Sequence, residues 1–202
     1  TSQFIADKMI QGGFDKSKMH TLCNFIDVEK CEEADYLKKD YYCYIGRISH
    51  EKGIKTLIAA ANRLPHKLVI IGKGPLDAEM KKLAGPNVEF AGFKQWNEIK
   101  RIVGQARFCV IPSECYENNP LSVIESQCLG TPVLGAQIGG IPELIQEGCN
   151  GLHFRSRDTD DMTAKIQAMY DAPFDYPSIA LEAKKRYNSE TYYKQLIQLY
   201  NL

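Results

Sequence analysis

The feature that most constrains the fold is an alternation of short apolar runs and amphipathic segments that begins at residue 41. Each apolar run is three to five residues long, and each intervening segment carries apolar residues at helical spacing. Strands that alternate with helices in this way are typical of βαβ units. The predicted strands cover residues 41–45, 67–71, 88–90, 108–111, 132–135 and 152–154, and the predicted helices cover 54–64, 76–83, 96–105, 120–129 and most of the chain after 158.

Most of the predicted strands are continuous apolar runs and do not alternate between apolar and polar residues. Such strands are expected when helices cover both faces of a parallel sheet. We therefore predict an α/β fold with a doubly wound parallel sheet, similar to a Rossmann domain. Sheets of this kind bind ligands beyond the carboxyl ends of their strands, so the loops after the strands are the candidate site.

Length and charge exclude several classes of protein. The 202 residues suit about one domain, and 25 basic residues balance 25 acidic ones. A zero net charge gives no electrostatic reason to expect binding to nucleic acid. No apolar run reaches the roughly 18 residues of a membrane-spanning helix. The seven cysteines include no C-x-x-C pair, which speaks against zinc and a disulfide framework and favours a reducing, cytoplasmic setting. The chain lacks an initiator Met, so we expect a fragment.

Two loops carry groups suited to a phosphate. Arg47 and Lys52 follow the first predicted strand, where two cations near a helix start would suit an anionic ligand, although spacing alone favours two solvated loop cations. Gly72 and Gly74 follow the second strand. They resemble the start of a dinucleotide fingerprint, but Asp77 stands where the third glycine is required. A tight turn is the favoured interpretation there.

The loop after the fourth strand is the richest in polar groups. Asn119 is placed to cap the next helix and Pro120 to be its first residue. The backbone amides of Leu121 and Ser122 would then be unpaired donors suited to an anion.

Two carboxylates, Glu117 and Glu125, flank this helix start. Eight helical steps would separate them by about 12 Å, too far for a retaining glycosidase pair. They could hold hydroxyl groups at two places on a long polar ligand, or simply be exposed. Gly139 and Gly140 follow the fifth strand, where they allow either close backbone approach or a flexible turn.

Taken in order, these motifs resemble the retaining glycosyltransferases of family 4, which have the two-domain GT-B fold. The resemblance covers residues 41 to the end. The matching stretches are Gly46-Arg47-Ile48 with Lys52-Gly53, Ile71-Gly72-Lys73-Gly74-Pro75, Val88-Glu89-Phe90-Ala91-Gly92-Phe93, Pro112-Ser113 with Glu117 and Glu125, Gly130-Thr131-Pro132-Val133, and Gly139-Gly140-Ile141-Pro142-Glu143.

The resemblance implies a division of the chain into four parts. Residues 1–28 would be a remnant of the N-terminal acceptor domain, with its last helix over 2–13 and its last strand over 18–27. Residues 29–40, charged at eight of twelve positions, would be the hinge. Residues 41–188 would bind the donor, and 189–202 would form a helix that crosses back. The missing domain would bind a glycan or lipid-linked acceptor and make any peripheral contact with the inner face of the membrane.

The resemblance also implies a role for each candidate residue. Arg47 and Lys52 would contact the donor diphosphate and stabilise the leaving group, together with the amides of Leu121 and Ser122. Glu117 would hold the transferred sugar without attacking it. The remaining expected contacts are Glu125 with the ribose, Asn118 and Asn119 with the sugar, and Gly72, Phe93 and Lys94 beside the base.

The family implies transfer of a hexose-type sugar with retention, from UDP or GDP, with no metal or other cofactor, for polysaccharide or lipopolysaccharide synthesis. The fragment is expected to bind donor but to show negligible transfer. Asn118-Asn119-Pro120 stands where the family often has Gly-Phe-Gly, which leaves the fine contacts to the sugar open. A binding-only relative, a nucleotide-sugar epimerase and a pyridoxal-phosphate phosphorylase are the alternatives.

Overall fold

A computed structural model describes residues 1–31 and 36–200. Within these residues, six parallel strands form one sheet in the order β3-β2-β1-β4-β5-β6. The predicted doubly wound α/β fold is therefore confirmed. The strands are β1 (Tyr41–Ile45), β2 (Lys67–Ile71), β3 (Val88–Gly92), β4 (Cys109–Ile111), β5 (Val133–Ala136) and β6 (Gly151–Phe154).

Helices connect the strands and cover the sheet. Short 3₁₀ turns add to them, including one at His50–Lys52 after β1 and one at Ile141–Leu144 after β5. The helices are α1 (Gln3–Gln11), α2 (Ile54–Ala61), α3 (Asp77–Leu83), α4 (Trp96–Gln105), α5 (Leu121–Cys128), α6 (Thr159–Asp171), α7 (Tyr176–Tyr187) and α8 (Ser189–Tyr200). Within residues 1–31 and 36–200, no helix combines the length and the apolar character needed to cross a membrane.

The centre of the sheet is fully buried, as its apolar strands predict. Cys43 in β1 lies beside Cys109 in β4, and neither has exposed surface, so both are small core residues. The rings of Tyr42 and Phe108 stack beneath them with centroids 5.0 Å apart. The rigid core thus fixes the ends of β1 and β4, from which the two most polar loops leave.

Most predicted elements are confirmed, with small shifts at their ends. The helix predicted over 54–64 ends at Ala61 because Pro65 disfavours helical backbone in the residues before it. β3 continues two residues beyond its predicted end, to Gly92, because it pairs with β2 through an irregular register at Ile70 and Ile71.

The amino-terminal segment, residues 1–28, contains the predicted helix but lacks the predicted strand. Ser2 caps α1, accepting a hydrogen bond from the Ile5 amide. The backbone of residues 19–27 forms no strand, so the strand predicted over 18–27 is wrong. A strand needs a neighbouring strand, and this segment has only isolated contacts, such as the Ile26 amide donating to the Tyr187 carbonyl at 3.0 Å.

The hinge and the last helix are described in part. A 3₁₀ turn at Val28–Cys31 opens the predicted hinge over 29–40, and residues 32–35 of that hinge lie outside the described residues. α8 covers most of the predicted crossover helix, whose residues 201 and 202 are also outside. The rings of Phe25 and Tyr192 lie 4.4 Å apart, so α8 contacts the amino-terminal segment.

Candidate functional site

The strand order reverses between β1 and β4, and the loops that follow these two strands meet at that point. Gly53, with φ of +67°, lies so close to the β4 loop that a Cβ there would be 1.9 Å from the Pro112 carbonyl oxygen. Only glycine fits this conformation and this space. Doubly wound sheets bind ligands in the crevice at such a reversal, so the two loops border the candidate site.

A charged network joins the two loops. The Lys52 ammonium lies 2.5 Å from Oε1 of Glu117, and the Ser113 hydroxyl donates to the same oxygen at 2.7 Å. The side chains of Lys52 and Glu117 are only 31% and 16% exposed. The structure therefore brings together two predicted site residues from separate loops. Ser113, to which the sequence analysis assigns no role, is buried beside them.

Tyr44 supports the loop that carries Arg47. Its hydroxyl donates to the Arg47 carbonyl at 2.7 Å. Burial raises the pKa of Tyr44, so this hydroxyl stays protonated and remains a donor. The Arg47 side chain is exposed beside the crevice. Tyr44 gave no signal of this role in the sequence, because an inward-facing residue of a strand is ordinarily part of the core.

The loop after β5 packs directly on the Glu117 backbone. The Gly140 amide donates to the Glu117 carbonyl at 2.7 Å. A Cβ on Gly139, whose φ is +61°, would be 2.4 Å from the same oxygen. Gly139 and Gly140 thus make a close backbone approach that fixes the position of Glu117, and they also lead into the 3₁₀ turn that begins at Ile141.

The start of α5 differs from its prediction in one respect. Pro120 occupies the cap position without a side-chain hydrogen bond, so Asn119 is not the helix cap. Its side chain is turned toward the amino-terminal segment, where its Oδ1 accepts from the Asn24 amide at 2.9 Å. The Asn24 side chain also donates to the Asn119 carbonyl at 2.9 Å. These two hydrogen bonds join the amino-terminal segment to the loop before α5.

The first amides of α5 are available to a ligand. In the described part of the chain, the N–H groups of Leu121 and Ser122 have no hydrogen-bond acceptor. Unpaired amides and the helix dipole at this end both favour an anion. These two amides begin the helix that directly follows the loop carrying Glu117.

Glu125 stands in a different environment from Glu117. It lies inside α5 and takes no part in the Lys52–Glu117–Ser113 network. Burial raises its pKa above the ordinary value of a glutamate. Among the residues that the structure describes, no ion pair to Glu125 is found, and a half-buried carboxylate of this kind is suited to accepting hydrogen bonds from neutral donors such as hydroxyl groups.

The loop after β2 is a packed turn, and that after β3 is open. Gly72 (φ +136°) could not carry a Cβ, which would be 1.9 Å from the Gly46 carbonyl oxygen. The Gly74 amide is held by Asp77 at 3.0 Å, which fits the favoured interpretation as a tight turn. Phe93 is 65% exposed, and the Lys94 ammonium pairs with Glu98 at 2.9 Å.

Two cavities lie outside the Lys52–Glu117–Ser113 network, the second of them lined in part by Asn119 and Glu143. One of about 470 Å³ is formed by α5, α7 and the turn before β6, and one of about 580 Å³ lies between the amino-terminal segment and α8. Neither contains Lys52 or Glu117. We place the site at the crevice because its polar groups converge there from several loops. Among residues 1–31 and 36–200, no group of three or more His, Cys, Asp or Glu side chains is arranged to hold a metal ion.

Several known proteins are similar to this chain, some in sequence and others in fold. The chain is 33% identical to sulfoquinovosyl transferase SQD2 of Arabidopsis thaliana over 137 residues, which cover 65% of this chain and 27% of that protein. It is 26% identical to the amylovoran biosynthesis glycosyltransferase AmsK of Erwinia amylovora over 174 residues, covering 77% and 43%. Anabaena Alr3699/HepE in complex with UDP has the same fold, with a TM-score of 0.87 at 20% identity, covering 100% of this chain and 62% of that one.

The chain thus spans between about a quarter and two fifths of these curated relatives. The match to the structures shows that its sheet and helices have the architecture of the Rossmann-like domains in GT-B glycosyltransferases. The family model for glycosyl transferases group 1 matches residues 26–192, which is most of the chain. From these matches, the chain belongs to the glycosyl transferases group 1 family.

Proposed function

We propose that this chain is the donor-binding half of a retaining glycosyltransferase of family 4, and that its crevice binds a nucleoside-diphosphate sugar. The main support for this proposal is the contact between Lys52 and Glu117. It lies where the strand order reverses, and the free amides of α5 directly follow the loop that carries Glu117. Lys52 and the α5 amides suit phosphate, and the Glu117 carboxylate suits hydroxyl groups. A nucleotide sugar has both.

The diphosphate would be bound by Lys52, Arg47 and the amides of Leu121 and Ser122. Lys52 is paired with Glu117, so a phosphate bound by Lys52 would replace a carboxylate as its partner. Lys52 would then exchange its charge-assisted hydrogen bond to the carboxylate for one to the phosphate. As the sugar leaves, negative charge grows on the diphosphate, and fixed cations and amides stabilise it.

The same exchange would release Glu117 for the sugar. Its second contact, from the buried Ser113 hydroxyl, stays in place and keeps the carboxylate oriented. Glu117 and the Asn118-Asn119 backbone would position a hexose-type sugar for transfer with retention. We propose no covalent attack by Glu117 and no metal or other cofactor.

The nucleoside would extend along the carboxyl edge of the sheet. Glu125, half-buried and outside the charged network, would accept hydrogen bonds from the ribose hydroxyls. Gly72, Phe93 and Lys94 would border the base. UDP and GDP are the nucleotides we favour, and Anabaena HepE is a structural neighbour that binds UDP and UDP-glucose.

The whole enzyme would add sugars to a glycan or a lipid-linked acceptor bound by a further domain, in polysaccharide or lipopolysaccharide synthesis at the cytoplasmic face of the membrane. AmsK, which serves amylovoran biosynthesis, supports this choice of pathway. In this division, residues 1–28 belong to the acceptor half and residues 41–188 to the donor half. This chain by itself is expected to bind donor and to transfer no sugar.

Calorimetric titration of the chain with UDP, GDP and ADP, at low salt and without metal, tests the proposal. We expect one nucleotide to bind more tightly than the others, and Lys52→Ala to weaken that binding. Lys55→Ala, which removes an exposed lysine from α2, is the matched control. If a folded chain binds none of the three, the proposal is wrong.

A further inference from the structure

The amino end of α1 is fastened to the candidate site by polar contacts. Both oxygens of the Glu143 carboxylate accept backbone hydrogen bonds, from Gln3 at 2.8 Å and from Phe4 at 2.7 Å. The Ser2 hydroxyl donates to Oδ1 of Asn118 at 2.8 Å, and Ser2 is 1% exposed. A helix from the amino-terminal segment is therefore held by the two loops that follow β4 and β5.

These contacts use the chemistry of a helix start. The first amides of a helix have no acceptor within the helix, and a carboxylate there is favoured by the helix dipole. Glu143 fills that role from 139 and 140 residues away in the sequence. A carboxylate donated by another element makes the docking of α1 depend on the loop after β5.

An aromatic contact strengthens the same docking. The rings of Phe4 and Tyr116 meet edge to face with centroids 4.8 Å apart. The Lys8 ammonium lies 5.6 Å from the Phe4 ring and 5.8 Å from the Tyr116 ring. Tyr116 directly precedes Glu117, so α1 contacts the residues on both sides of Glu117.

The docked helix also limits the space around Glu117. A Cβ on Gly140 would lie 2.8 Å from the Ser2 Cβ and 1.8 Å from the Asn118 carbonyl oxygen. The Gly140 amide in turn donates to the Glu117 carbonyl. Gly140 therefore packs between Ser2 on one side and the Glu117–Asn118 backbone on the other. Movement of the amino end of α1 would release the backbone that carries Glu117.

We propose that Glu143 is a positioning residue that latches α1 onto the site and thereby fixes Glu117 and Asn118 for the sugar part of the donor. The latch consists of Glu143, Ser2, Asn118 and the Phe4–Tyr116 contact. It lies beside the loop assigned to the sugar and leaves Lys52 and the α5 amides, assigned to phosphate, untouched. The sugar-binding part of this inference rests on the proposed function.

The test combines amide hydrogen exchange with two ligand titrations on the 202-residue chain. Glu143→Gln keeps the size of the side chain and removes its charge, and Glu143→Asp keeps the charge. In Glu143→Gln we expect faster exchange in the peptide that covers α1. We also expect the Kd of UDP-glucose to rise about fivefold while that of UDP changes less than twofold. Glu143→Asp should restore part of both effects.

Glu79→Gln is the matched control, because it removes an exposed carboxylate from the first turn of α3, on the other half of the sheet. It should change neither exchange in α1 nor either affinity. Unchanged α1 exchange in Glu143→Gln would overturn the latch, and equal losses for UDP and UDP-glucose would overturn its link to the sugar. If the unsubstituted chain binds neither ligand, the proposed function fails, and the exchange measurement alone decides the latch.

Discussion

The two sides of the crevice are built differently. Where β1 and β4 end, Lys52 and Ser113 share one oxygen of Glu117, and glycines at 53, 139 and 140 bring three loops into contact. Where β3 ends, Phe93 is 65% exposed and Lys94 pairs only across one helical turn with Glu98.

This difference indicates which side of the crevice is already ordered before a ligand binds. Groups that are already ordered lose little conformational entropy when a ligand arrives, whereas exposed side chains must be ordered by it. We therefore expect substitutions on the β1–β4 side to have large effects and those on the β3 side to have small ones. Four predictions test that contrast, from the largest effect to the smallest.

Gly53→Ala should have the largest effect. The new Cβ would clash with the Pro112 carbonyl in a left-handed conformation, so the free energy of unfolding should fall by roughly 2–4 kcal/mol. Urea denaturation measures this loss. Gly104→Ala is the control, because a Cβ there meets nothing within 4 Å. Alanine also favours helix α4, so the free energy of unfolding should rise by up to about 1 kcal/mol. A Gly53→Ala chain as stable as the unsubstituted one would contradict the close contact of the two loops.

Lys52→Ala should weaken nucleoside diphosphate binding about 30-fold, which corresponds to about 2 kcal/mol for a charge-assisted hydrogen bond. Binding of the free nucleoside should change little, because Lys52 is assigned to phosphate. Calorimetry with UDP and uridine separates the two effects. Equal losses for both ligands would remove Lys52 from its proposed role.

Glu125→Gln should lower ligand affinity and raise stability together. If Glu125 binds ribose, UDP and uridine should lose affinity alike, by about fivefold. Burial raises the pKa of Glu125 in the folded chain, so the folded state binds its proton more tightly than the unfolded state does. Ionisation therefore costs stability as pH rises from the unfolded pKa through the folded one.

The stability of Glu125→Gln should accordingly exceed that of the unsubstituted chain at pH 7 and 8. The advantage should shrink as pH falls through the pKa of the carboxyl, where Glu125 becomes neutral. Thermal unfolding across this pH range measures it. A variant that is less stable at every pH would contradict the desolvation of Glu125, and unchanged uridine binding would contradict its contact with ribose.

Phe93→Ala should have the smallest effect. Phe93 is mostly exposed and is not held by the core, so we expect UDP affinity to fall only about threefold. Titration with UDP alongside Lys52→Ala compares the two sides of the crevice directly. A loss as large as that of Lys52→Ala would show that the base side is as strongly organised as the phosphate side.

The order of the elements could be predicted from the sequence because their signals are local. Apolar runs, helical spacing and prolines identify the strands and helices, and the ends of parallel strands share one edge of the sheet. That is why Lys52 and Glu117 could be assigned to one site although 65 residues separate them.

Contacts between distant parts of the chain could not be predicted in this way. Asn119 has the residue type of a helix cap, but the amino-terminal segment competes for its side chain, and the strand predicted in that segment does not form. Ser113, Tyr44 and Glu143 gave no separate signal, since each acts through a partner that only the fold brings close. The Pro112-Ser113 and Gly139–Glu143 stretches marked their positions without indicating these roles.

The proposed nucleotide site lies where β1 and β4 end. A UDP titration of the ¹⁵N-labelled chain, followed by NMR amide shifts, tests it most directly, with GDP and ADP in parallel. We expect the largest shifts at Lys52, Gly53, Leu121 and Ser122. Shifts centred instead on the cavity between α5 and α7, at Gln127, Asn150 and Tyr187, would contradict it.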